Sequence, residues 1–156
     1  SAGAMKAAFD LLRPEIAKAK AASGQSVEDR GVVVAATVEG DIHDIGKSIV
    51  AVLLENHGFR VVDLGRDVKA AAILAKAREE RADMVFLSAL MTTTMPRMKE
   101  VVELFAADGF DCPVVVGGAA TTRSFAEAIG AKGYGKDAQE AVSLALRIVA
   151  ERGKCR

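Results

Sequence analysis

Gly31-Val32-Val33-Val34-Ala35-Ala36-Thr37-Val38-Glu39-Gly40-Asp41-Ile42-His43-Asp44-Ile45-Gly46-Lys47-Ser48 is the stretch on which the fold turns. Its first part, 31–38, is rich in β-branched residues and apolar on both faces, as a central strand of a parallel sheet must be. A polar loop follows, and over 46–57 the spacing becomes helical, with Gly58 where a left-handed cap would end the helix. Similar apolar runs recur at 59–64, 83–90 and 113–118, with a weaker fifth at 131–134. Helical stretches at 69–81, 95–108 and 122–129 lie between them, and a closing helix is expected near 137–152. This alternation predicts an α/β domain, a doubly wound five-stranded parallel sheet with right-handed crossovers. Loops that leave the strand C-termini then share one edge, and a ligand belongs there.

With 156 residues, 51% of them apolar, the chain can close one core of ordinary domain size and has little left for a second. Lysine plus arginine equals aspartate plus glutamate at 21 each, so no net field gathers nucleic acid or anionic lipid. The apolar runs are too short to cross a bilayer, and the N-terminus lacks a signal-peptide layout. A cytoplasmic protein without nucleic-acid or membrane partners is expected. Cys112 and Cys155 have no CxxC partner, which disfavours a zinc site and a disulfide framework and leaves two reduced thiols. Residues 1–30 differ from the rest: Met5, Phe9, Leu12 and Ile16 form an apolar stripe at helical spacing, Pro14 is expected to kink or interrupt that helix, and 21–30 reads as a linker. The expected organisation is a helix and linker over 1–30 ahead of a ligand-binding domain over 31–156.

Three chemistries compete for the loop 39–48. A phosphate loop fails by one residue, because Asp41 stands where the Walker pattern needs its first glycine and Gly40 comes one place early. A dinucleotide fingerprint fails more plainly, since there is no GxG turn and charged residues fill the approach to a pyrophosphate. The third is Asp41-x-His43-x-x-Gly46. A neutral imidazole at the end of a central strand is a good transition-metal ligand, Asp41 is placed to take its other N–H, and Gly46 lets backbone approach a large flat ligand. One histidine cannot hold a metal ion alone, so the metal would arrive already chelated in a corrin or porphyrin. Taken by itself the motif fits equally a polar loop in which Asp41 or Asp44 caps the helix. His57, in Asn56-His57-Gly58, reads as a solvated turn residue.

Gly40-Asp41-Ile42-His43-Asp44-Ile45-Gly46-Lys47 resembles, almost residue for residue, the signature of the cobalamin-binding domains of corrinoid methyltransferase proteins and of cobalamin-dependent methionine synthase. Two further motifs stand in the family's order, Leu87-Ser88-Ala89-Leu90-Met91-Thr92-Thr93-Thr94-Met95 after the third strand and Val116-Gly117-Gly118-Ala119 after the fourth. The resemblance covers about 31–152 and implies a flavodoxin-like, Rossmann-type sheet, with 1–30 a short helical remnant of a cap domain. It implies cobalamin bound base-off and His-on, with His43 the lower ligand of cobalt and Asp41, His43 and Thr94 forming a ligand triad. Around them, Gly40, Ile42, Asp44, Ile45, Gly46, Leu90 and Met91 would complete the cofactor site. Ser88 and Thr92 match positions that hydrogen-bond the displaced base and its nucleotide tail. Gly117 and Gly118, followed by Ala119, match the pair that leaves room for the tail, and Tyr134, Gly135, Asp137 and Ala138 the segment that closes over its far end.

Within that family the Leu90-to-Met95 run most resembles methyl carriers, which use methylcobalamin and a Co(I) corrinoid. The implied function is to carry a methyl group on cobalt between a methyl-donor and a methyl-acceptor methyltransferase protein, with a reductive activase as a further partner. Such a domain is a component of an enzyme system rather than an enzyme alone. A methionine synthase domain is the alternative; a mutase domain or a cobalamin-dependent sensor fits less well, since the mutase's histidine-containing loop is absent and no DNA-binding segment is present.

Overall fold

In order along the chain, β1 (Gly31–Thr37), α1 (Ile45–Asn56), β2 (Phe59–Asp63), α2 (Ala70–Glu79), β3 (Met84–Ser88), α3 (Met95–Ala107), β4 (Val114–Gly117), α4 (Arg123–Ile129), β5 (Gly133–Gly135) and α5 (Ala138–Lys154) alternate without exception. The computed structural model describes residues 30–154 and, ahead of them, residues 7, 8, 11, 12 and 14, which are helical. The remainder of the expected N-terminal stripe, Met5, Phe9 and Ile16, the linker up to residue 29, and Cys155 lie outside the described residues.

The strands are parallel throughout, in the order β2-β1-β3-β4-β5. This is the flavodoxin-like order, whose reversal of direction falls between β1 and β3. Period-two alternation sorts the strand residues into two cores. Val34, Ala36, Val85, Leu87 and Val116 pack against Ile73 and Ala77 of α2 and Met98, Val101 and Phe105 of α3. Val33, Ala35, Met84, Phe86 and Val115 pack on the other face against Leu54 of α1 and Ala141, Ala145 and Ile148 of α5.

Local chemistry sets the boundaries. Gly58, at φ +91°, follows the end of α1 as expected, and α4 begins where Thr122 accepts a bond from the Phe125 amide (3.1 Å) and stops at left-handed Gly130. β3 ends at Ser88, short of the expected residue 90, because the Leu90 amide leaves the ladder to donate to Asp41. β5 begins at Gly133 rather than 131, since the Ala131 amide is still bonded to Ala126 of α4. Register aligns the strand ends: Thr37 is level with Ser88, Ser88 with Gly117, and Gly117 with Gly135. Four loops therefore open along one line at the C-terminal edge of the sheet. No helix among the described residues is long and apolar enough to cross a membrane.

Candidate functional site

Beyond β1, Val38 makes a single bridge to Val68, and Gly40, at φ +84°, turns the chain so that the Asp41 amide donates back to the Val38 carbonyl (3.1 Å). Asp41 is completely buried. Its Oδ1 accepts from the His43 amide at 3.0 Å and lies 2.8 Å from His43 Nδ1. Its Oδ2 accepts from the Leu90 amide at 2.8 Å and from Thr94 Oγ1 at 2.7 Å. Burial pushes the carboxyl pKa up, but the bonds from the His43 and Leu90 amides, Thr94 and the His43 ring outweigh it and hold the group well below the usual carboxylate range.

A carboxylate at Nδ1 decides the state of the imidazole. In the neutral ring Nδ1 then carries the proton, and Nε2 has a lone pair to offer a metal. The His43 side chain is 44% exposed, so a ligand can reach it. Ile42 and Leu90, large apolar residues that folding ordinarily hides, are exposed at 61% and 42% on the same two loops.

Thr94 is buried at the head of α3 and makes no capping bond there. Its single hydroxyl proton has two acceptors in reach, Asp41 Oδ2 and, at 3.0 Å, the Met91 carbonyl, and the charged one is closer. Asp44 likewise stands at the N-cap of α1 without a side-chain capping bond. Neither aspartate of the motif makes a side-chain capping bond to the helix, and the hydrogen bonds of the loop converge on Asp41.

A slot of about 370 Å³ opens between the sheet and the N-terminal ends of α1 and α5. Of the expected cofactor residues, Gly46, Ser88, Gly117, Gly118, Ala119, Gly135, Asp137 and Ala138 line it. Met91 and Thr92 are in the turn before Thr94 and Leu90 is on the outer surface, none of them lining the slot. Tyr134 does not line the slot. Alternation along β5 directs its neighbours Gly133 and Gly135 to the α5 side, where added Cβ atoms would meet Leu144 and Ala141, while the Tyr134 side chain packs into the opposite core with Val116.

The two glycines at the end of β4, Gly117 as its last residue and Gly118 just beyond it, also differ from each other. A Cβ on Gly117 would come 3.2 Å from the Gly135 carbonyl, a tight but adjustable fit. On Gly118, at φ +118°, it would overlap the Ala89 backbone carbonyl, so this glycine is required by the approach of β3's exit to β4's, whatever fills the slot. Three residues to which the sequence reading assigned no role also belong here. Lys47 lines the slot yet is buried, its ammonium paired with Asp63 and donating to the Gly65 carbonyl at 3.0 Å. Thr37, on the face of β1 shared with Ala35 and level with Ser88, is fully buried, with a hydroxyl that has no hydrogen-bond partner among the described residues. Asp67 bonds the Gly40 amide. A hydroxyl or charge on an otherwise apolar strand or helix face is the signal that could have marked the first two.

A second, wider cavity of about 970 Å³ lies at the opposite edge of the sheet, lined by Phe105, Phe110, Cys112, Lys132 and Arg152 among others. Burial pushes the Cys112 thiol up to about 12, which keeps it protonated and a poor ligand or nucleophile. Among the described residues no group of three or more His, Cys, Asp or Glu is gathered to hold a metal ion. The exposed imidazole of His43 therefore suits a metal that brings its other ligands with it.

A family model described as the B12 binding domain matches residues 31–143, which takes in all five strands. Dimethylamine corrinoid protein 3 of Methanosarcina mazei is 44% identical over 152 residues, spanning 96% of this chain and 88% of that protein. The crystal structure of the methanol:cobalamin methyltransferase complex from Methanosarcina barkeri is similar with a TM-score of 0.79 at 40% identity, over 91% of this chain and 55% of that one. The monomethylamine corrinoid protein from the same organism gives 0.77 at 32% identity, over 93% and 67%. With its sheet matched from end to end and an accessible imidazole at the ligand edge, the chain belongs to the B12-binding domain family, and cobalamin is its cofactor.

Proposed function

We propose that this chain is a methyl-carrying corrinoid protein, which binds cobalamin with the dimethylbenzimidazole base off the cobalt and His43 Nε2 on it, and works between methyl-donor and methyl-acceptor methyltransferase proteins. The observation that carries the reading is the Asp41–His43–Thr94 arrangement, a buried carboxylate that fixes the tautomer of an exposed imidazole. The residues fit the group. Ile42 and Leu90 offer an apolar floor for a flat macrocycle, and the slot below, with Ser88 as a hydroxyl donor and Gly46 and Gly117 lacking side chains, suits a displaced base and its tail. The cofactor, when bound, supplies the cobalt on which a methyl group rides.

The protein's part is to hold and to tune. Asp41 keeps the proton on Nδ1 and so raises the basicity of Nε2. Thr94 donates its hydroxyl proton to Asp41 Oδ2, which spreads the carboxylate's charge. Methyl transfer, rather than the rearrangements of mutases or a sensor's role, is supported by relatives named for dimethylamine, monomethylamine and methanol chemistry. A cytoplasmic setting and a reductive activase go with the same reading.

The test is spectroscopic. The parent protein with hydroxocobalamin should give the absorption spectrum of a histidine-ligated, base-off corrinoid, and His43→Ala should shift it to a water-ligated or ligand-free species. An identical spectrum in the variant would overturn the assignment of His43.

A further inference from the structure

The loop that carries Asp41 and His43 is held from outside as well as from β1. The connection between β2 and α2 runs alongside it: the Thr37 amide donates to the Gly65 carbonyl (2.9 Å), the Val68 amide to the Thr37 carbonyl (3.0 Å), and Val38 bridges Val68. At the middle of that connection is Asp67, a non-glycine residue at φ +53°. This left-handed backbone is uncommon outside glycine, and aspartate and asparagine tolerate it best. In it, Asp67 reaches the ligand loop twice, its Oδ1 accepting from the Gly40 amide at 2.8 Å and its own amide donating to the Asp41 carbonyl at 3.0 Å.

We propose that Asp67 is a positioning residue for the axial histidine, acting through Gly40 and Asp41; the proposal rests on the reading that His43 ligates cobalt. Gly40 is the most pliable link between β1 and Asp41, and at φ +84° no Cβ stiffens it. It lies between Asp67 on one side and the methyl of Thr94 on the other, 3.5 Å from where a Cβ would be. The carboxylate of Asp41 is fixed to β3 and α3 by Leu90 and Thr94, while its backbone is fixed to the β2–α2 connection by Asp67. Both anchors are needed to orient a side chain that must in turn orient the imidazole. Asp67 makes no hydrogen bond to His43 and does not line the slot, so any effect it has on the metal passes through the loop.

The brace is itself secured. Asp63 Oδ1 accepts from the Gly65 amide at 2.8 Å and pairs with Lys47, whose ammonium also holds the Gly65 carbonyl. The same connection thus ties α1, at the slot, to the loop that presents His43.

Two substitutions separate the side-chain bond from the backbone conformation. Asp67→Gly keeps the left-handed backbone accessible and removes the acceptor; Asp67→Asn keeps both. With hydroxocobalamin at saturation, Asp67→Gly should show a lower fraction of the histidine-ligated spectrum and about five- to tenfold weaker binding, in line with loss of one hydrogen bond. Asp67→Asn should restore the parent spectrum. A parent-like spectrum and affinity in Asp67→Gly, or failure of Asp67→Asn to rescue, would overturn the proposal. His43→Ala is measured beside them: if it leaves the spectrum unchanged, the ligation reading has failed, whereas a changed spectrum there with none in Asp67→Gly sinks the role of Asp67 alone. Should Asp67→Gly not fold, amide exchange in the cofactor-free parent decides, since a Gly40 amide exchanging as fast as an unstructured glycine is incompatible with the brace.

Discussion

Asp41 touches no solvent and yet stays ionised, because four donors converge on its two oxygens. In the cofactor-free protein this makes stability depend on acid in one direction. The folded pKa lies below the unfolded value of about 4, so the stabilisation is fully present above that pH and is lost as the pH falls through the acid range below it. Asp41→Asn leaves one acceptor oxygen and turns an amide NH2 toward donors that need an acceptor. It should cost about 2–3 kcal/mol at neutral pH, the penalty for buried donors left unpaired. It should also flatten the acid limb of the stability curve, so that the gap between parent and variant narrows progressively as the pH falls below about 4. Urea melts of the two apo proteins across the acid range check this, and a constant gap at every pH would mean that the carboxylate is not held as described. The Asp-x-His pair was legible from sequence because it is local. Thr94, fifty-three positions from Asp41, entered only through the resemblance, and Asp67 could not be found at all, since a backbone torsion leaves no mark in residue identity.

The elements were legible for a simpler reason. β1, β3 and β4 are buried on both faces, so unbroken apolar runs mark them out, while Gly58 follows the end of α1 and Thr122 starts α4 where sequence places those boundaries. β5 was harder, because Gly133-Tyr134-Gly135 is too short for alternation to be read, so the sequence does not say which face Tyr134 takes. The two glycines at the end of β4 were expected to act alike, and the clash between Gly118 and Ala89 depends on two strand exits meeting, which no local pattern announces. Their difference gives a test of what the slot is for. Gly117→Ala should shift the apo melting curve only modestly, because the Gly135 carbonyl needs to yield a few tenths of an ångström, while cobalamin binding weakens by tenfold or more as the methyl takes room from the tail, where about 1.4 kcal/mol is a factor of ten. Gly118→Ala should damage the apo fold itself, through steric overlap and a φ hostile to any side chain. Thermal melts with and without cobalamin distinguish the two. Equal loss of binding and stability in Gly117→Ala would reduce it to a turn residue.

At the scale of the whole molecule, two openings among the described residues differ in both size and chemistry. The cavity at the N-terminal edge of the sheet, about 970 Å³, is far larger than the slot of about 370 Å³ at the C-terminal edge. Chemistry points the other way. The large cavity holds a thiol locked in its protonated form and an Arg152 whose guanidinium is already spent on the carbonyls of Asp83 (2.8 Å) and Asp111 (2.7 Å). The slot lies beside an accessible imidazole with a fixed tautomer, at the strand C-termini where a doubly wound sheet binds its ligands. Because the strand ends are level, a ligand there touches loops from β1, β3, β4 and β5 at once and should stiffen them together. Hydrogen–deuterium exchange with and without cobalamin should therefore show protection at 38–46, 88–94, 117–121 and 135–138, and none beyond the general stabilisation at 108–112 and 130–132 on the far edge. Stabilisation of the fold by ligand raises protection everywhere by up to the same amount, so the informative quantity is the excess at the C-terminal edge, in loops that open locally without unfolding. Excess protection at Phe110, Cys112 and Lys132 would place the cofactor in the larger cavity and remove His43 from the chemistry altogether.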